Sequence, residues 1–226
     1  MPQDLVRIRK TAVLAKTEVT YGVDPVPTGG ADAMLLHNVT INPLVANEIT
    51  RDLVGRGLGA QEAILAEKHE TLSCEVELTG SGTAGDAPAW GPLLKACGFA
   101  ETINAGVDVV YTPLSDNISS VTIYIYRDGN LHKMVGARGS VGIKITAQQI
   151  PYITFEFVGL RAAPVAEAFP APDFSNFQKP EVVNMANTTT STLHGDTVTP
   201  LEWSISNQAK AETLFLVGSE SVELLD

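Results

Sequence analysis

The sequence predicts a mainly β protein of antiparallel sheets with one short flanking helix. Three observations predict it. Apolar and polar residues alternate strictly through Thr71–Thr79, Ser140–Ala147 and Tyr152–Leu160, the period of strands buried on one face only. One 3.6-residue stripe stands out, Trp90, Leu93, Leu94 and Cys97 at i, i+3, i+4 and i+7, which reads as a helix lying on a core. Turn formers separate the alternating runs, as at Asp128-Gly-Asn130. Strands that alternate this cleanly belong to antiparallel sheets with one face in water or in a polar channel.

A strand is expected at about Thr11–Val19, followed by the turn-rich loop Tyr21–Gly30, whose proline and glycine density no regular element tolerates. Asn38–Thr50 reads as one long extended segment with a bulge or edge at Pro43; at about 3.3 Å per residue it would reach roughly 40 Å. Leu53–Leu65, with glycines at 55, 57 and 59, reads as a long loop returning the chain to a strand at Glu67–Thr79. Past the Trp90 helix come strands at Ser119–Arg127, with Val121, Ile123 and Ile125 on one face, at Leu131–Val135, at Ser140–Ala147 and at Tyr152–Leu160.

Residues 163–181 hold four prolines and read as a linker, which divides the chain into a first domain at 1–165, a Pro-rich connection at 166–181 and a C-terminal piece at 182–226. A weak internal repeat supports the last division. Val39-Thr-Ile-Asn-Pro and Leu53-Val-Gly are echoed by Trp203-Ser-Ile-Ser-Asn and Leu216-Val-Gly, with Glu48 and Glu212 between the marks, so 182–226 is expected to be half of a second module.

Composition narrows function by exclusion. The chain has 226 residues, 26 acidic against 15 basic, and a formal charge of −11, which opposes a nonspecific grip on nucleic acid or anionic lipid. The N-terminus lacks the apolar run of a signal peptide and no stretch approaches a membrane span, so a soluble protein kept in a cytoplasm is expected, with no membrane partner. Cys74 and Cys97 fall on the apolar faces and are expected to be reduced packing residues.

No enzyme chemistry emerges. Gly80-Ser-Gly82-Thr-Ala-Gly85 fits the glycine spacing of a dinucleotide turn, but a dinucleotide strand is apolar on both faces, whereas the strand before it shows Ser73, Glu75 and Glu77 to a polar surface. Pro88 and Pro92 also crowd the start of the following helix, leaving the glycines as slack between strand and helix. His37, His69, His132 and His194 lack ligand spacing, no nucleophile elbow is present, and Glu75 with Glu77 reads more simply as a solvated face than as a catalytic pair. No catalytic, metal or cofactor residue is assigned.

The run TLSCEVELTGSGTAGDAPAWGPLLKACGF at 71–99 resembles the strand, loop and helix of the major tail tube proteins of long-tailed, siphovirus-type bacteriophages. KTEVTYGVDPVPTGG, VTIYIYRDGNLHKMVGARGSV and IPYITFEFVGLRAAP agree with it in order, so the resemblance covers about residues 7–165. It implies an antiparallel β-sandwich or barrel, the tail-tube fold, whose inner strands join those of neighbours into a barrel lining a channel. Rings with six tube modules then stack into a virion tail assembled in the host cytoplasm. Implied partners are other copies of the chain, a tape-measure protein during assembly, tail terminator and baseplate proteins, and double-stranded DNA passing at ejection without specific binding. Three two-module chains or six one-module chains would both supply the ring.

On that resemblance, Glu75, Glu77, Glu156 and, as a minority cation, Lys144 are expected to face the lumen and keep the passage weakly repulsive to phosphate. Leu53, Gly55, Arg56, Gly57, Leu58, Gly59 and Gln61 are expected to form an inter-ring stacking loop, and Trp90, Leu93, Leu94 and Cys97 to form the core helix. The N-terminal arm and the Tyr21–Gly30 loop are further contact candidates. Two readings compete: a tube protein of a related bacteriocin or secretion machine, and a β-sandwich adhesion or carbohydrate-binding module. The second expects exposed aromatics, yet Trp90 falls on the helix stripe and Trp203 on an expected strand.

Overall fold

The computed structural model describes residues 10–51, 53–54 and 62–225. In chain order its elements are β1 (Thr11–Thr17), β2 (Ala33–Met34), β3 (His37–Thr50), β4 (Ala63–Glu77), α1 (Gly91–Lys95), β5 (Phe99–Asn104), β6 (Asp108–Pro113), β7 (Val121–Arg127), β8 (Asn130–Thr146) and β9 (Tyr152–Arg161). The C-terminal part adds β10 (Val165–Ala166), β11 (Thr192–Leu193), β12 (Asp196–Thr197), β13 (Glu202–Ser206), β14 (Lys210–Leu216) and β15 (Ser219–Leu225). The main sheet runs β2-β1-β7-β8-β9-β4-β3, every pairing antiparallel, with β10 and β13 added on β8.

β8 joins the two halves of this sheet. The two strands expected at Leu131–Val135 and Ser140–Ala147 are one, because a bulge between Val135 and Arg138 bends the chain without ending its ladder. Gly136 occupies the bend at φ +60°, and a Cβ there would sit 2.8 Å from the Tyr21 ring, so glycine is required twice over. Before the bend β8 pairs with β7; beyond it the same edge takes β13, with Ile143 opposite Ile205.

The curled sheet encloses one core. Val13, Ala15, Val121, Ile123 and Ile125 from one half meet Leu72, Cys74, Val76, Ile153, Phe155 and Phe157 from the other, and α1 covers them with Leu93 and Leu94. A second, smaller cluster lies on the opposite face of β1 and β7, where Leu14, Tyr124 and Tyr126 are buried. The sequence showed only the Val121, Ile123 and Ile125 side of β7 as buried; both sides are, because the Pro-rich segment straps Phe169 and Phe174 across the other one.

That segment is packed along most of its length. Val165 and Ala166 pair with Leu131 and Asn130, the Asp173 amide donates to the Gly29 carbonyl, and Phe177 reaches the main core. The C-terminal part is likewise tied to the body: β13 extends the main sheet, the Asn207 side chain donates to the Cys97 carbonyl at 3.0 Å, and Arg138 donates to the Val222 carbonyl at 2.7 Å.

Candidate functional site

Antiparallel register places every second residue of β4, β9, β8 and β13 on one face. Across that face Glu77 stands opposite Tyr152, Lys144 and Ser204 in turn; Glu75 opposite Thr154, Gly142 and Ser206; and Ser73 opposite Glu156 and Ser140. The intervening residues, Cys74, Val76, Ile153, Phe155 and Val141, are the buried core. The alternation in the sequence is therefore one continuous polar surface backed by one apolar layer, and it brings Glu75, Glu77, Glu156 and Lys144 together.

The charge on this surface is negative and partly held in place. Glu75 accepts a 2.7 Å hydrogen bond from Asn38 Nδ2, and His37 Nδ1 lies 3.3 Å from the same oxygen. The His37 ring stacks on Tyr152, with centroids 5.6 Å apart. Lys144 pairs with Glu202 at 3.0 Å. Four carboxylates thus face one ammonium, and these exposed pairs contribute little to stability.

The second feature is a projecting hairpin. β3 pairs with β4 from His37↔Glu75 out to Thr50↔Ala63, and the strands leave the body at about His69, where β4 changes from buried alternation to general exposure. Ile64 and Leu65, expected in the loop, continue the ladder opposite Ile49 and Glu48; the alternation that would have shown this is missing because the projecting strands have no buried side. Leu53 is exposed near the tip, while Gly55, Arg56, Gly57, Leu58, Gly59 and Gln61 lie outside the described residues. β3 pairs with β4 alone among the described strands, so its outer edge is open.

Trp90, Leu93, Leu94 and Cys97 are all buried, with Trp90 capping the start of α1 and Cys97 just beyond its end. The indole Nε1 donates to the Thr79 carbonyl at 2.8 Å, which returns the helix to the end of β4. The glycine loop between them is not slack. Gly85 sits at φ +79°, and a Cβ there would lie 2.2 Å from the Gly106 amide, so the loop is pressed onto the β5–β6 turn. β4 itself lies between two antiparallel neighbours, which removes the parallel setting that a dinucleotide turn needs.

Sequence reasoning missed the β5–β6 hairpin and two buried carboxylates. Glu18 accepts hydrogen bonds from Ser120 Oγ at 2.6 Å, Thr122 Oγ1 at 2.6 Å, the Gly22 amide at 2.7 Å and the Gly136 amide at 2.7 Å. Glu70 is fully buried on the core face of β4, and burial pushes its pKa up to about 7 although Arg161 opposes the shift. In the sequence each is one acidic residue in a run of mixed character; only the fold reveals the donors or the burial.

Burial also pushes the Cys74 thiol up to about 12 and raises that of Cys97 well above its ordinary range, as befits packing residues. A cleft of about 680 Å³ between α1, β6 and β13 is lined by Trp90, Leu94, Phe99, Tyr111, Ile143 and Leu224 and is largely apolar. Among the described residues no group of three or more His, Cys, Asp or Glu is placed to hold a metal ion, and no helix is long and apolar enough to cross a membrane.

In comparisons with known proteins, no curated protein matches the chain. A family model described as phage tail tube protein matches residues 8–224, a span that includes the polar face, the projecting hairpin, the strap and nearly all of the C-terminal strands. The chain belongs to the phage tail tube protein family.

Proposed function

We propose that this protein is the structural subunit of a long-tailed phage tail tube, one tube module per chain, with six chains closing a ring and rings stacking into the conduit for double-stranded DNA. The observation that carries this reading is the acidic sheet face, in which Glu75, Glu77 and Glu156 share one surface with Lys144, opposite the core. A channel wall for DNA must not bind what passes. Duplex DNA carries one charge per roughly 1.7 Å, so a wall of paired cations would add affinity at every ring, whereas a wall with excess carboxylate stays weakly repulsive.

The open edge of β3 supports ring closure. A fourteen-residue strand with one open edge is an aggregation hazard in isolation, and pairing that edge with a neighbouring copy in a closed barrel removes the hazard. Six one-module chains are favoured over three two-module chains because the strap and the C-terminal strands are built onto the first module, with Phe177 against its core, β13 paired on β8 and Arg138 of β8 bonded to the Val222 carbonyl. The hairpin projects beyond the body by about seven residues on each strand, on the order of 20 Å, which is far enough to contact the next ring through Leu53 and the tip residues. Tape-measure, terminator and baseplate proteins would then meet the tube inside and at its ends.

Deleting residues 53–62 tests the stacking role. The expected product is a folded protein that forms no tubes by negative-stain electron microscopy; tubes of ordinary length would overturn it.

A further inference from the structure

Besides the β4–β9 ladder, which ends at His69 opposite Leu160, one side chain reaches both strands of the projecting hairpin at its base. Arg161, the last residue of β9, donates from Nε to the Pro43 carbonyl at 3.0 Å, and the same nitrogen lies 3.6 Å from Glu70 Oε1. Pro43 is on β3 and Glu70 on β4, so one guanidinium touches both strands of the hairpin where they leave the body. Irregularities gather at that level. The β3–β4 register shifts between Asn42 and Val45 and again between Val45 and Asn47, and Glu67 adopts φ +54°. Proline has no amide hydrogen for the ladder, and the bulge frees its carbonyl for Arg161.

Glu70 is an unexpected residue for its position. Leu72, Cys74 and Val76 continue its face inward, so an apolar side chain there would extend the core. Instead a carboxylate is completely buried, and neither oxygen has a hydrogen-bond partner. Arg161 holds it by charge at a distance longer than a hydrogen bond. A buried pair of this geometry is not a source of stability, since replacing such pairs by apolar residues is often neutral or favourable. It fixes an orientation.

We propose that Arg161 and Glu70 are positioning residues for assembly: together with the Pro43 carbonyl they clamp the base of the β3–β4 hairpin and set the angle at which it meets a second copy of the chain. Two of the three β3–β4 register shifts, those between Asn42 and Asn47, and the left-handed Glu67 lie beside the clamp, while the β4–β9 ladder from Leu72 to Glu77 is unbroken, so the clamp sits where the hairpin's own pairing is interrupted. The assembly part of this inference rests on the proposed stacking role of the hairpin; the clamp itself does not.

Hydrogen exchange on the full-length subunit tests the clamp. Glu70→Gln, Glu70→Leu and Arg161→Met should each speed amide exchange severalfold at Ile49–Thr50 and Ala63–His69 while Leu72–Val76 and Ile153–Phe157 stay unchanged, with Arg161→Met, which also loses the Pro43 contact, the largest at about tenfold, and the Glu70→Leu, Arg161→Met double variant should add nothing to Arg161→Met. Glu70→Leu should also keep or raise the melting temperature, which a merely structural carboxylate would not allow. Uniform acceleration over hairpin and body, or additive single effects, would overturn the clamp. Tubes of wild-type yield and straightness from all three variants, with the hairpin amides accelerated, would overturn its role in assembly while leaving the clamp standing. A wild-type protein that never forms tubes would instead defeat the tail-tube reading.

Discussion

The Glu18 carboxylate and the Gly136 amide lie 2.7 Å apart, and through that contact the end of β1 is fastened to the bend in β8 on which both halves of the sheet depend. The same carboxylate accepts from Ser120 and Thr122 at the start of β7 and from Gly22 in the loop after β1, so four donors converge on one nearly buried side chain.

Glu18→Ala leaves those four donors without their acceptor. Stranding buried donors costs about 1–3 kcal/mol each when water cannot reach them, with partial relief by relaxation. A loss of about 3–4 kcal/mol is expected by urea denaturation with the m-value unchanged, and Glu18→Gln, which keeps one acceptor oxygen, should lose about half of that.

Trp90 makes two separable contributions, a ring in the core and a hydrogen bond to Thr79. Trp90→Phe should cost about 1–2 kcal/mol, the bond plus a small void, and Trp90→Ala about 3–5 kcal/mol. Comparing the two denaturation midpoints separates the anchor from the packing.

Burial raises the folded pKa of Glu70 to about 7 from an ordinary 4.5. Between those values the folded chain holds a proton that the unfolded chain has released, so this group's contribution is fully present below pH 4.5 and is lost as pH rises through 7. His132 acts in the opposite sense, because burial and the nearby Arg127 and Arg161 hold its folded pKa below 6.5; its contribution is present above 6.5 and lost as pH falls through its folded pKa. Subtracting the stability profile of Glu70→Gln from that of the wild type isolates the carboxyl. The difference should fall steadily from pH 4.5 to 7 and be flat above.

Cys74 and Cys97 are buried thiols far from their reactive ionised forms. Under native conditions they should resist a thiol reagent at pH 8 and react only at the rate of unfolding; labelling within seconds would contradict their placement.

How much of this was legible in sequence depended on whether an element has one buried face. β4 and β9 were readable residue by residue, since water on one side and core on the other force a period of two, and the same alternation put Glu75, Glu77 and Glu156 on one surface with Lys144. The outer parts of β3 and β4 have no buried face and so show no alternation, whereas β7 alternates Val121, Ile123 and Ile125 with Thr122, Tyr124 and Tyr126, which hid the burial of its second face. The strap was read as a linker from its prolines, because what fastens it, Phe169, Phe174 and Phe177, matters only once the bare faces beneath are known. The β5–β6 hairpin was missed for want of buried positions, although the left-handed Gly106 at its turn stands in the sequence in the short run Asn104-Ala-Gly-Val-Asp108.

If the acidic face lines a DNA channel, reversing its charge should convert a passive wall into a binding one. Assembled tubes of a Glu75→Lys, Glu77→Lys, Glu156→Lys variant should retain duplex DNA at low salt and release it with a steep log–log salt dependence, while wild-type tubes retain none at any salt. Gel retention of tubes against a salt series measures it.

The most direct measurement is a cryo-electron microscopy reconstruction of the purified protein at side-chain resolution. Stacked rings of six chains, with Glu75, Glu77, Glu156 and Lys144 on the inner wall and β3 paired to a neighbouring copy, are the expected result. Monodisperse monomers, or rings in which that face points to the outside, would contradict it.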